Sequence, residues 1–215
     1  MVIASKRGVH HNSQGTLEMD SRTEVIRKSV EGSLKCLQTD YIDLYYRHQI
    51  DPKVPAEEVA GVMGDLIKEG KILRWGISEA DEAYLRRAHA VCPVTCVQNR
   101  YSIMARGHEK LFPVLEELGV GYVAFGPLAN GFLSGAYGKD SKFEASDFRG
   151  FMPQYKAGAI DANRALMDYI QELAEAKGAT PAQISLAWMI VKKPYIVPGH
   201  AGVFLLHKRL DEDFH

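Results

Sequence analysis

Long apolar runs are missing from this 215-residue sequence, and so is any excess of one charge. The longest hydrophobic stretches fall well short of the roughly 20 residues that cross a bilayer. The opening residues, Met1 to Arg7, lack the apolar core of a signal peptide. With 26 Lys+Arg against 27 Asp+Glu the formal net charge is −1, so nothing drives the chain toward nucleic acid or an anionic membrane. Cysteine is scarce. Cys36, Cys92 and Cys96 are too few and too irregular for a disulfide framework, and no CxxC spacing occurs. Reduced thiols in a cytoplasmic protein are expected. There is no GxGxxG turn, which argues against an open dinucleotide-binding sheet. His10-His11 has no further ligands at metal spacing, so no metal site is expected. No Ser/His/Asp arrangement suggests a hydrolase.

What is present is an ordinary globular composition, 46% hydrophobic and 25% charged. The stretch Tyr41-Ile-Asp-Leu-Tyr-Tyr-Arg-His48 reads as a strand of β-branched and aromatic residues. Its side chains alternate. Ile42, Leu44, Tyr46 and His48 face one way; Tyr41, Asp43, Tyr45 and Arg47 face the other. An imidazole therefore closes one face at the C-terminal end, where parallel α/β proteins place their chemistry.

Around it the pattern alternates. Residues 2–6 are a short apolar run ending in Lys6, followed by a polar loop to Asp20. Ser21 with Glu24 suggests a capping box for a helix over 22–37. A helix over 56–69 ends at Gly70. Further strands are expected at 72–78, 95–101, 121–125 and 195–197. Helices are expected at 81–90, 109–118 and 161–177, and after Thr180-Pro181. Residues 126–160 show no clear period, as long functional connections often do not. The sum is six parallel strands with helical crossovers.

Five stretches in register carry a resemblance: Ser29 to His48, Leu66 to Glu79 (LIKEGKILRWGISE), Val97 to Ser102 (VQNRYS), Phe125 to Gly135 (FGPLANGFLSG) and Lys177 to Trp188. Together they resemble the aldo-keto reductase family over about residues 2–197. The resemblance implies an α/β fold of the (β/α)8 TIM-barrel family, here an incomplete barrel of about six parallel strands. It implies one domain over 1–215 that lacks the first two βα units and the last helix. It also implies NADPH as cofactor and reduction of a small-molecule aldehyde or ketone to an alcohol.

By motif match Lys6 and His48 are the catalytic Lys and His. Ser78 and Gln98 match the residues that bind the nicotinamide carboxamide. Gly126, Leu128, Asn130 and Gly131 match the loop that wraps the pyrophosphate, with Gly126 where Ser is common. Arg209 and Glu212 match adenosine contacts. Glu79 stands where many members have Asn. The family's catalytic Asp and Tyr belong to the first two βα units, so the chain is expected to hold two of four catalytic groups. Tyr46 lies deeper on the His48 face and reads as core. Two outcomes follow: an NADPH-dependent carbonyl reductase, or a non-catalytic remnant that binds nucleotide or a partner protein. Open sheet edges at 2–6 and 195–197 suggest self-association.

Overall fold

The computed structural model describes residues 2–11, 17–138, 141–156 and 158–199. Strand β1 (Ala4–Arg7) leads into a hairpin of β2 (Val9–His11) and β3 (Leu17–Met19). Then come α1 (Thr23–Leu37), β4 (Ile42–Arg47), α2 (Ala56–Lys68), β5 (Ile72–Ser78), α3 (Glu82–Val91) and β6 (Cys96–Arg100). A short 3-10 turn, Gly107–Leu111, precedes α4 (Phe112–Leu118) and β7 (Gly121–Phe125). After the irregular stretch come α5 (Ala159–Ala162), α6 (Arg164–Lys177), α7 (Pro181–Lys192) and β8 (Ile196–Gly199).

The expected alternation is present. Six strands form one sheet in the order β1-β4-β5-β6-β7-β8. The pairs β1–β4, β4–β5 and β5–β6 are parallel. Each of these crossovers is a helix whose apolar stripe covers the sheet. In α2, for example, Val59, Met63 and Leu66 are fully buried. The described residues group into two compact units, those within 2–99 with 109–123 and those within 100–108 with 124–199.

In the first unit, β4 is buried on both faces: Ile42 and Tyr46 on one, Tyr45 and Arg47 on the other. Parallel strands covered by helices show this double burial. Tyr46 lies across Gly76 of β5. A Cβ there would sit 2.6 Å from the Tyr46 ring and 2.7 Å from the Cys96 carbonyl oxygen. The capping box at Ser21 does not form. The N-cap is Arg22, with no side-chain hydrogen bond, because the Ser21 hydroxyl accepts from buried Arg47 instead. The loop expected over Arg7 to Asp20 contains the β2–β3 hairpin.

In the second unit, the stretch without a period folds into three 3-10 turns, Ala129–Ser134, Phe148–Phe151 and Pro153–Tyr155. An aromatic cluster holds it. The Tyr155 ring meets Phe132, Tyr137 and Phe143 edge-on, and the Arg149 guanidinium lies 4.6 Å from the Tyr137 ring centroid. The single helix expected over 161–177 is two helices. Asn163 interrupts it, its Nδ2 donating to the Ala159 carbonyl at 2.7 Å. α7 starts where expected, with Pro181 in its first turn, and Thr180 and Gln183 add a full capping box.

Candidate active site

In the first unit the register brings four of the expected residues to one face. Lys6 pairs with Tyr46, Tyr46 with Gly76, and Gly76 with Cys96. Paired residues in parallel strands share a face, and so do residues two apart. His48 follows β4 two residues after Tyr46. Ser78 stands two residues after Gly76 and pairs with Gln98. Lys6, His48, Ser78 and Gln98 thus lie on one face, at the C-terminal ends of four neighbouring strands.

Gln98 is the hub. Lys6 Nζ donates to its Oε1 at 2.7 Å. Its main-chain carbonyl accepts from Ser78 Oγ at 2.9 Å and from the Glu79 amide at 3.1 Å. Glu79 takes a left-handed conformation, φ 56°. The next residue, Ala80, is clamped by Asn99. Asn99 Oδ1 accepts from the Ala80 amide at 3.2 Å and its Nδ2 donates to the Ala80 carbonyl at 3.1 Å. Asn99 is fully buried, and the sequence reading passed over it. Nothing in the sequence set it apart, because it stands between Gln98 and Arg100 in the polar half of β6.

The electrostatics follow from this packing. Lys6 is exposed along its length, yet its ammonium end is partly covered. That desolvation lowers its pKa below the usual lysine value, and the Glu79 carboxylate works in the opposite direction. Burial lowers the His48 pKa, and the charges of Lys6 and Arg47 lower it further. The imidazole is therefore neutral at pH 7, with one N–H to donate. Burial pushes the Tyr46 hydroxyl far above the usual tyrosine value, and the neighbouring Cys96 adds to the shift. Tyr46 also points at Cys96 Sγ, 3.1 Å away. It packs as core.

A nicotinamide carboxamide has one acceptor oxygen and one donor NH2. Ser78 Oγ has spent its proton on the Gln98 carbonyl, so its lone pairs remain to accept. Gln98 has Oε1 occupied by Lys6 and its amide also meets the Tyr46 hydroxyl, so one of the two Nε2 hydrogens remains to donate. The pair is complementary to a carboxamide.

The matched loop residues lie in the second unit. Gly126, Asn130 and Gly131 are left-handed, φ 65°, 57° and 96°. A Cβ on Gly126 would meet nothing within 4 Å, whereas one on Gly131 would sit 2.8 Å from the Tyr137 ring. The open backbone at Gly126 suits close approach of a phosphate. Three amides are already committed: Ala129 to the Gly126 carbonyl, and Gly131 and Leu133 to that of Leu128. Asn130 turns its side chain inward, Nδ2 donating to Met152 Sδ at 2.9 Å, while its carbonyl accepts from Tyr155 at 3.0 Å. Arg209 and Glu212 lie outside the described residues. Among the described residues no cluster of metal-ligating side chains occurs and no helix is long and apolar enough to cross a membrane.

The aldo/keto reductase family pattern matches residues 1–203. The chain belongs to the aldo/keto reductase family. Two curated relatives agree. The chain is 36% identical over 197 residues to "Probable aldo-keto reductase 1" of Glycine max, covering 91% of this chain and 57% of that protein. It is 37% identical over 193 residues to "Aldo-keto reductase str7" of Strobilurus tenacellus, covering 87% and 57%. The chain therefore spans little more than half the length of these relatives. Among solved structures it resembles the glycerol dehydrogenase AKR11B4 from Gluconobacter oxydans, with TM-score 0.85 and 28% identity, over 92% of this chain and 63% of that one. It also resembles an aldo/keto reductase from Klebsiella pneumoniae in complex with NADP and acetate, with TM-score 0.63 and 26% identity, over 93% and 57%. The fold is accordingly that of the family's TIM barrel, represented here by six parallel strands.

Proposed function

We propose that this aldo/keto reductase chain carries the Lys, the His and the carboxamide-binding residues of an NADPH-dependent carbonyl reductase. The observation that supports this is the convergence of Lys6, His48, Ser78 and Gln98 on one face, fastened by the bond from Lys6 to Gln98. The relative from Klebsiella pneumoniae with NADP bound supports the choice of cofactor. Residues 1–215 act in this reading as one reductase domain. The three cysteines are free thiols, as suits the cytoplasm.

When bound, the cofactor supplies a hydride to a carbonyl carbon. Negative charge then grows on the carbonyl oxygen. The neutral His48 imidazole donates an N–H to that oxygen, and the Lys6 ammonium adds positive charge nearby. Ser78 and Gln98 fix the carboxamide and with it the face of the ring. Gly126, Leu128 and Asn130 offer backbone to the pyrophosphate in a loop that Gly131 closes through its amide bond to the Leu128 carbonyl, and by family resemblance Arg209 and Glu212 are the candidate adenosine contacts. The general acid in this reading is not Tyr46, whose hydroxyl is buried against Cys96 Sγ. Turnover without a general acid is slower by about 10²–10⁴. The second reading, nucleotide binding without turnover, draws on the same burial of Tyr46.

The test pairs NADPH binding, followed by fluorescence, with NADPH oxidation in the presence of a generic aldehyde. The expected result is NADPH binding weakened by Ser78→Ala and Gln98→Ala, with at most residual turnover that falls again in His48→Ala. Binding that ignores both substitutions overturns the carboxamide assignment. Robust turnover lost in Tyr46→Phe overturns the exclusion of Tyr46. Binding with no turnover in any variant selects the second reading.

A further inference from the structure

We propose that Arg47 is a positioning residue for Lys6 and His48: its buried guanidinium braces the Arg7 carbonyl on which the ends of β1 and β4 meet. The roles of Lys6 and His48 rest on the reading above, while the brace itself is read from geometry alone.

Arg47 immediately precedes His48 and points to the opposite face. It is 1% exposed. A buried cation must be surrounded by acceptors. Nη1 donates to the Arg7 carbonyl at 3.2 Å, Nε to Ser21 Oγ at 2.8 Å, and Nη2 also to Ser21 Oγ. The same Arg7 oxygen accepts the His48 amide at 3.0 Å. Both lone pairs of one carbonyl are thus used, one by His48 itself and one by its neighbour's side chain. Arg7 adjoins Lys6 in turn. One oxygen atom thus links the backbone at Lys6 to that at His48, and Arg47 holds it.

The brace is itself anchored. The Ser21 amide donates to Asp51 Oδ2 at 3.0 Å, and Asp51 Oδ1 accepts the Lys53 amide at 3.0 Å. Asp51 is 4% exposed, so a buried carboxylate stands in the same network as the buried guanidinium. Gly8 makes room. A Cβ on it would fall 1.2 Å from Arg47 Nη1, and its φ is +129°. A lysine could not replace the fork, because a single nitrogen cannot reach a carbonyl and a hydroxyl with the same planar geometry. The clamp also closes the base of the hairpin, since Arg7 precedes it and Ser21 follows it.

The experiment follows amide hydrogen exchange by NMR in the 215-residue chain and in Arg47→Met and Arg47→Lys. In Arg47→Met the His48 amide should exchange at least about tenfold faster, while the amides of Ile77 and Val97 in the same sheet stay within about twofold. Arg47→Lys should restore less than half of the lost protection. Acceleration shared by all three amides, or none at His48, shows that Arg47 is only a general stabiliser and overturns the proposal. If Arg47→Met does not fold, Ser21→Ala removes one acceptor alone and should give the same selective pattern at smaller size; no selective change there overturns the proposal equally. NADPH titration of the unaltered chain runs in parallel. Failure to bind counts against the catalytic reading and leaves the brace to be judged by exchange.

Discussion

Lys6 on β1 reaches Gln98 on β6 at 2.7 Å, with β4 and β5 between them. On a flat sheet three strand spacings would separate the two backbones by about 14 Å. The side chains could not meet across that span while standing upright. The contact therefore reports that these strands curl, with the Lys6 face concave. Tyr46, two strands from Cys96 and in contact with it, reports the same curvature. The fold makes the site by bending, because it aims residues from separate strands at one point.

That contact fixes the Gln98 amide, and a prediction follows. Gln98→Glu keeps an acceptor for Lys6 and turns the contact into an ion pair, but it removes the N–H donors. Stability should be unchanged or slightly higher in thermal melts. NADPH affinity should fall about tenfold, the value of one hydrogen bond to a neutral partner. Unchanged affinity in a fluorescence titration would show that Nε2 does not face the cofactor.

The depressed pKa of His48 gives a pH dependence with a definite sign. The unfolded chain binds a proton at His48 more readily than the folded one, so stability rises with pH through this window. The contribution is fully present above about pH 6.5, the unfolded value, and is lost as the pH falls through the lower folded value. His48→Gln, which cannot titrate, should flatten that part of the curve. Urea unfolding at intervals between about pH 4.5 and 7.5 measures it. A parallel curve for the variant would place the pH dependence on other groups.

Much of this was legible in the sequence. The strands at 72–78 and 121–125, and the helix that starts after Thr180-Pro181, answer to local chemistry and appear where expected. Lys6, His48, Ser78 and Gln98 were named by the family resemblance, and the register that puts them on one face belongs to the structure. Ser21 misled because its hydroxyl had a better offer from a guanidinium 26 residues away. The stretch 126–160 was opaque because Arg149, Tyr137, Phe143 and Tyr155 order it through ring contacts that have no period. Asn99 was missed because its partners are backbone groups, which a sequence does not name, and Arg47 because the Ser21 hydroxyl and the Arg7 carbonyl that hold it lie 26 and 40 residues away.

Gly76 is required by crowding, not by a turn. A methyl group at this position would press on the Tyr46 ring and on the Cys96 carbonyl, and the carbonyl cannot swing away. Gly76→Ala should destabilise the chain by about 1–3 kcal/mol. Tyr46→Phe, by contrast, removes only a hydroxyl that meets the Cys96 thiol and the Gln98 amide, and should cost about 1 kcal/mol or less. Chemical denaturation of both variants separates the two. Equal losses would mean that the ring packs elsewhere.

Asn99 offers the sharpest link between packing and site. Its amide imitates a strand, giving Ala80 one acceptor and one donor in a place without water. Asn99→Ala leaves both backbone groups unpaired and should cost about 2 kcal/mol or more. Asn99→Asp should not rescue it, because a carboxylate keeps the acceptor and sets its second oxygen against the Ala80 carbonyl. The loss should spread to the cofactor end. Ser78 and Glu79 lie between the strand and the clamped residue, and both donate to the Gln98 carbonyl. If the clamp holds Ser78 in place, the effects of Asn99→Ala and Ser78→Ala on NADPH affinity are not additive: the double variant should lose less than the sum, by about 0.5 kcal/mol or more. Strict additivity in that cycle would separate Asn99 from the site and leave it a purely structural residue.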